Sequence, residues 1–158
     1  MITDYRFQIT DLRLKIIVAK INSFEDLEVW QKAREFSLAI HKATSEGALT
    51  KDYSLKDQIN RSSGSIMDNI AEGFERGGKK EFIQFLFVAK GSCGETRSQL
   101  YRALDKKYIT QEEFEELKSI ALNISKQLAG FISYLKSSEI KGQKYVNEPE
   151  MFYGTSNL

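Results

Sequence analysis

The sequence predicts an all-α protein, an antiparallel up-down-up-down four-helix bundle with an extended N-terminal arm and a loose C-terminal tail. Apolar residues recur in alternating steps of three and four over long segments, which is the spacing of a buried helix face. The chain of 158 residues contains one proline, Pro149, and it lies outside those segments, so no proline interrupts a helix there. Short polar links join the segments, which makes successive helices antiparallel neighbours.

The two ends of the chain lack this helical spacing. Within residues 1–23, Leu12, Leu14, Ile16 and Val18 alternate with the intervening residues at period two, which indicates a short strand or an extended arm. Residues 138–158 combine glycine, proline and polar residues with several aromatics, which is typical of a loose tail that could dock on a partner. The bundle itself is expected to occupy the residues between them, 24–137.

Four segments of the bundle each carry an apolar row. Ser23 and Asp26 mark the start of the first helix, whose row is Val29, Ala33, Phe36, Ile40 and Ala43. The second helix, from about Ser54 to Arg76, has the row Leu55, Ile59, Ser63, Ile66 and Ile70. The third, from about Lys79 to Lys106, has the row Phe82, Leu86, Ala89, Cys93, Thr96, Leu100 and Leu104. The fourth, from about Gln111 to Ser137, has the row Phe114, Leu117, Ala121, Ile124, Leu128, Phe131 and Leu135. Thr110 and Glu113 form a capping box that fixes the start of the fourth helix.

One short motif imitates a phosphate-binding loop. Gly73, Gly78 and Lys79 fit the pattern G-x-x-x-x-G-K-[ST] up to its last position, where Lys80 replaces the hydroxyl residue. A working loop follows a buried strand and uses that hydroxyl to hold magnesium, whereas the residues before Gly73 have helical spacing. We therefore interpret Gly77 and Gly78 as the end of one helix and the turn into the next.

The remaining reactive side chains do not form a catalytic or metal-binding pattern. A di-iron bundle needs paired Glu-x-x-His motifs, but the single histidine, His41, has Leu38 three residues before it. Cys93 belongs to an apolar row, which favours a small core residue over a nucleophile. Glu72 is placed to pair with Arg76 four residues later. The sequence therefore predicts no enzyme activity, no metal site and no cofactor.

Several motifs indicate a known family. The run SIMDNIAEGFER at Ser65–Arg76 is followed by EFIQFL at Glu81–Leu86 and by Gly91-Ser92, and FEDLEVWQKA stands at Phe24–Ala33. These residues, together with Tyr108-Ile109 and the helix from Gln111, resemble the 23S rRNA-intervening sequence protein family over residues 24–137. The sequence differs from the usual pattern of that family at residues 1–23, at Gly77-Gly78 and at Lys106-Lys107.

The resemblance implies a homo-oligomeric four-helix bundle, most simply a pentameric ring, with no catalytic residue to carry over. It also implies possible protein partners, because a related protein is the accessory subunit of reverse transcriptases in diversity-generating retroelements and binds the polymerase and nucleic acid. A reverse transcriptase or another protein is therefore an expected partner class.

The third helix and its flanks are strongly basic. This segment has eight basic residues against three acidic ones, a local charge of +5 on a chain of +1. The candidate nucleic-acid-binding residues are Arg76, Lys79, Lys80, Lys90, Arg97, Arg102, Lys106 and Lys107. Acidic residues near both helix ends could cancel these charges, and acids are in any case favoured at helix N-termini.

Two hypotheses about function follow from these features. The first is an oligomer that binds the backbone of RNA or DNA, as an accessory or chaperone-like factor. The second is a protein-interaction scaffold with no nucleic-acid role, because charge patterning without a recognised motif is weak evidence. A single cysteine and the absence of a long apolar run favour the cytoplasm and no membrane contact.

Overall fold

A computed structural model describes residues 21–138, which form four long α-helices. These are α1 (Glu28–Thr44), α2 (Tyr53–Glu75), α3 (Lys79–Asp105) and α4 (Gln111–Ser137). Short 3-10 turns, Phe24–Asp26 and Ala48–Lys51, precede α1 and α2. Helix α1 packs against α2 and α4, and α3 packs against the same two helices. Successive helices are thus neighbours around a square, and the predicted up-down-up-down four-helix bundle is confirmed.

The predictions for the two ends of the chain fall mostly beyond this part. The N-terminal arm at 1–23 and the tail at 138–158 lie outside the described residues, except for residues 21–23 and Ser138. Among residues 21–138, no helix has the length and hydropathy that crossing a membrane requires.

The predicted start of the fourth helix is confirmed, and that of the first is wrong by one short turn. Thr110 Oγ1 accepts a hydrogen bond from the Glu113 N–H at 3.2 Å, and Glu113 Oε2 accepts one from the Thr110 N–H at 2.7 Å. Asp26 likewise accepts a hydrogen bond from the Ser23 N–H at 3.1 Å. That contact, however, caps only the 3-10 turn, because Leu27 has extended backbone angles (φ −72°, ψ 117°) and α1 begins after it.

The predicted apolar rows meet in one core. Nearly all their members are buried, but Ala43, Leu104 and Phe131 are only partly buried. Their chain neighbours Thr44, Ala103 and Ile132 lie deeper. In the row of α3 the spacing between buried residues alternates between four and three positions. The next member after Leu100 therefore lies three positions on, at Ala103, and Leu104 falls beside the row. Phe131 turns away because a straight helix drifts by about 20° per seven residues, although its ring still packs edge-on against Phe82, 5.3 Å between centroids.

The serine-rich middle of α2 is explained by its contact with α3. Ser62 donates a hydrogen bond to Gln99 Oε1 at 2.6 Å, and its hydroxyl lies 2.8 Å from that of Thr96. Ser65 and Ser92 are linked in the same way at 3.0 Å. Small side chains allow the two helices to approach closely, and the hydrogen bonds satisfy hydroxyl groups that burial would otherwise leave unpaired.

Gly73 marks a close contact between α2 and α3. A Cβ atom at this position would lie 2.5 Å from Phe85 Cβ and 2.9 Å from Phe82 Cδ2, far inside the usual carbon–carbon separation of about 3.5–4.0 Å. Packing therefore explains the glycine in the Asn-Ile-Ala-Glu-Gly-Phe motif.

Candidate nucleic-acid interface

The imitation phosphate loop is a helix end and a turn. Gly73 lies inside α2, and the chain reverses at Gly77, whose φ of 76° is in the region that favours glycine. Lys79 begins α3, and its Nζ donates a hydrogen bond to the carbonyl of Ser138 at the end of α4. The lysine that would contact phosphate in a nucleotide-binding loop thus ties two helix ends together.

The structure supports a core role for Cys93. Its side chain is fully buried, and burial raises the pKa of the thiol to about 12 against the opposing charges of Arg97 and Lys90. The thiol is therefore protonated at neutral pH, and the nucleophilic thiolate form is scarce. His41 lies exposed on α1. Within residues 21–138, no cluster of three or more histidine, cysteine or acidic side chains could hold a metal ion.

Three of the eight predicted basic residues lie at the end of the bundle where α2 passes into α3. Arg76 forms the expected ion pair with Glu72, with 2.8 Å between Nη2 and Oε1, and its guanidinium lies 5.5 Å from the Phe85 ring centroid. Lys79 is bonded to Ser138, as described above. Lys80 is exposed and makes no ion pair within the described part of the chain.

Three more lie at the opposite end, where α3 passes into α4. Lys106 Nζ is 2.7 Å from Asp52 Oδ2, and Arg102 donates a hydrogen bond to Gln58 Oε1 at 2.7 Å. The hydrogen bond from Lys106, with a second from the Leu55 N–H, holds the pKa of Asp52 below its usual value, and the same ion pair raises the pKa of Lys106. Lys107 is exposed and adopts a positive φ of 59°.

The two end clusters are far apart. Helix α3 runs without interruption between them, so Lys80 and Lys106 are separated by about 39 Å along the helix axis. Two of the acids near these ends make local contacts. Glu28 pairs with Lys32 at 2.8 Å, and Glu113 caps α4.

The last two predicted residues, Lys90 and Arg97, lie between the ends on one face of α3. Lys90 is exposed and Arg97 is half-buried. The Nε atom of Arg97 is buried and has no hydrogen-bond partner among the described residues. Neither side chain forms an ion pair in residues 21–138, so their charges are not neutralised by neighbours there.

Two aromatic side chains lie on the same face, and sequence reasoning did not assign them to the candidate site. Phe87 and Tyr101 are 48% and 49% exposed. With Lys90, Gly94 and Arg97 they form a second row with steps of three and four, on the side of α3 that borders α4. The same count of helical spacing, applied to polar and aromatic residues together, would have found them.

A separate groove lies between α1 and α2. It has a volume of about 820 Å³, and its lining includes Trp30, Leu38, His41, Asn60 and Met67. Leu38 is 68% exposed at this groove, while Trp30 packs against Phe24 with 5.1 Å between ring centroids. The groove thus combines apolar side chains with polar ones, among them His41 and Asn60.

Comparison with known proteins supports the motif-based resemblance. Residues 25–130 match the family model described as 23S rRNA-intervening sequence protein. A crystal structure from Bacteroides thetaiotaomicron, of a protein with unknown function from the S23 ribosomal protein family, is similar with 30% sequence identity and a TM-score of 0.60. The similarity covers 66% of this chain and 97% of that one. No curated protein matches this sequence.

Proposed function

The chain belongs to the 23S rRNA-intervening sequence protein family, and from that premise we propose that it is a non-enzymatic, homo-oligomeric binder of RNA or DNA. It contacts the nucleic-acid backbone without regard to sequence and acts as an accessory or chaperone-like factor in the cytoplasm. The observation that carries this proposal is the pair Lys90 and Arg97. Both are cationic, share one face of α3 and have no acidic partner among residues 21–138.

The contacts of the other basic residues show which of them are available to bind phosphate. Lys106 and Arg76 are held in ion pairs with Asp52 and Glu72, so a phosphate would have to compete with a carboxylate for each of them. Lys80 and Lys107 are exposed without such partners in the described region. We therefore expect Lys90 and Arg97 to contribute most to the affinity for nucleic acid, Lys80 and Lys107 less, and the ion-paired residues least.

Oligomerisation would multiply these modest contacts. One copy offers few unpaired cations, but a ring presents the same cations once per copy. When one nucleic-acid strand contacts several copies, the high effective concentration of the remaining sites raises the overall affinity. The exposed Leu38 and the groove between α1 and α2 are available for contact between copies. We propose a pentamer. A mass close to 18.1 kDa, that of a single chain, in light scattering across micromolar concentrations would contradict it.

Binding to RNA and DNA tests the nucleic-acid role directly. Fluorescence anisotropy at about 50 and 200 mM salt should show a steep fall in affinity, because each neutralised phosphate releases condensed counterions. The double variant Lys80→Glu, Lys90→Glu should bind more weakly and flatten the salt slope. The matched control is Lys42→Glu, Lys51→Glu, which changes the charge equally at exposed positions on α1 and in the link to α2.

Two results would contradict the proposal. Equal loss of binding in the test and control variants would mean that only the overall charge matters, not the α3 face. Undetectable binding at the lower salt would leave the second candidate, a protein-interaction scaffold with a reverse transcriptase or another protein as its partner. The observation that favours this alternative is the groove beside Leu38.

A further inference from the structure

The face of α3 that borders α4 carries aromatic rings on both sides of its unpaired cations. Phe87 and Tyr101 are each about half exposed, and they stand 14 positions apart, about 21 Å along a helix. Lys90 and Arg97 lie between them in the same row.

Helix α4 adds a cation beside the Phe87 ring, and a second one beside the Phe114 ring that Tyr101 contacts. Lys136 Nζ lies 4.9 Å from the centroid of the Phe87 ring. At the other end, Lys118 Nζ lies 5.0 Å from the Phe114 ring, which meets the Tyr101 ring edge-on at 4.7 Å. Lys118 also pairs with Glu115 at 3.1 Å. Cations therefore lie next to aromatic rings at both ends of the border between α3 and α4.

The surface between the two rings is open. A Cβ atom built at Gly91 would have no neighbour within 4 Å, and one at Gly94 would meet only the terminal nitrogen of Arg97, at 4.0 Å. A ligand can therefore come close to the helix backbone between Phe87 and Tyr101. Arg97 makes no hydrogen bond or ion pair with any other residue of 21–138, so its outer nitrogens remain available as donors.

Taking the proposed function as its premise, the geometry points to single-stranded RNA or DNA as the ligand of this surface. We call it the α3–α4 strip, and its residues are Phe87, Lys90, Arg97, Tyr101 and Lys136. Bases stack on Phe87 and Tyr101, while phosphates contact the cations. A duplex cannot do this, because its base faces are already stacked on one another, whereas an unpaired base presents a free π-face to a ring.

The length of the strip is suited to a short segment of strand. At about 3.4 Å per nucleotide, as in one strand of B-DNA, 21 Å corresponds to about six nucleotides, and fewer in a stretched strand. Site sizes from about four nucleotides upward are usual for proteins that combine a cationic groove with stacking rings. The complementarity between cations and phosphates favours this occupant over an apolar peptide or a second copy of the chain.

The experiment compares single strands with duplexes on the full-length protein. Anisotropy is measured with a labelled oligonucleotide of about 12 nucleotides, twice the estimated site, and with the corresponding duplex. Phe87→Leu keeps an apolar side chain but removes the ring, and it should weaken single-strand binding about tenfold while leaving duplex binding unchanged. The matched control is Tyr53→Leu, which removes a ring that is 79% exposed at the start of α2. Its affinity for both probes should equal that of the wild type.

Each other outcome has a definite meaning. If both probes bind equally and Phe87→Leu changes neither, the protein contacts only the backbone, so the strip proposal is wrong while the proposed function stands. If neither probe binds the wild type at about 50 mM salt, the proposed function fails and the strip proposal with it. If Phe87→Leu changes the mass of the assembly in light scattering, the strip is an interface between copies and the proposal is overturned.

Discussion

Replacing Gly73 by alanine should destabilise the bundle, because a methyl group has no room between α2 and α3. The new Cβ would lie 2.5 Å from Phe85 Cβ, more than about 1 Å inside a normal carbon–carbon contact. Phe85 Cβ is attached directly to the α3 backbone, so rotation of the Phe85 side chain cannot move it away. The helices must separate, and this also disturbs the packing of Phe82 against Phe74.

The expected magnitude combines two opposing terms. Overpacking of a tight core costs about 1–3 kcal/mol, and an overlap with a backbone-attached carbon belongs at the upper end of that range. Alanine in place of glycine inside a helix recovers about 1 kcal/mol. The free energy of unfolding should therefore fall by about 2 kcal/mol, which in a domain of this size lowers the melting temperature by about 4–8 °C.

Gly64→Ala is a matched control in the same helix. Nothing lies within 4 Å of a Cβ atom built there, so only the helix-propensity gain of about 1 kcal/mol should remain. Both variants and the wild type are unfolded with guanidinium and followed by circular dichroism at one fixed protomer concentration, because the stability of an oligomer depends on it. A Gly73→Ala protein as stable as the wild type would refute the packing argument.

Two further predictions concern titratable groups. The pKa of Asp52 is lower in the folded than in the unfolded chain, so its ionised form stabilises the fold above about pH 4 and that stabilisation is lost as the pH falls through the folded value. Asp52→Asn should thus lower the melting temperature at pH 7 and much less at pH 3. A decrease in melting temperature that is equal at both pH values would contradict this. The control is Asp57→Asn, which removes only an exposed ion pair with Arg61. Cys93, with its buried thiol and a pKa of about 12, should react with a thiol reagent at pH 8 only when the protein is unfolded, because the thiolate is the reactive form. Rapid stoichiometric labelling of the native protein would show that this side chain is accessible.

The sequence by itself determined the helices and their order. The steps of three and four, the capping box at Thr110 and the glycine turn at Gly77 are local signals, because each depends on residues within one or two helical turns. They placed α4 at the residues observed and placed α2 and α3 to within a residue. The family followed from the sequence in the same way, since the motif around Gly73 is contiguous.

Only the tertiary structure decided which of the predicted basic side chains are available for binding and which are paired with other residues. Lys106 is paired with Asp52, 54 positions away, and Lys79 is bonded to Ser138, 59 positions away; no local pattern reports a contact between residues so distant along the chain. The exposure of Phe87 and Tyr101 likewise depends on where α4 packs against α3. Helix positions are set by interactions along one segment, whereas pairing and exposure are set by which segments come to lie side by side. The eight basic residues of α3 and its flanks look alike in the sequence, and packing alone distinguishes the paired ones from the free ones.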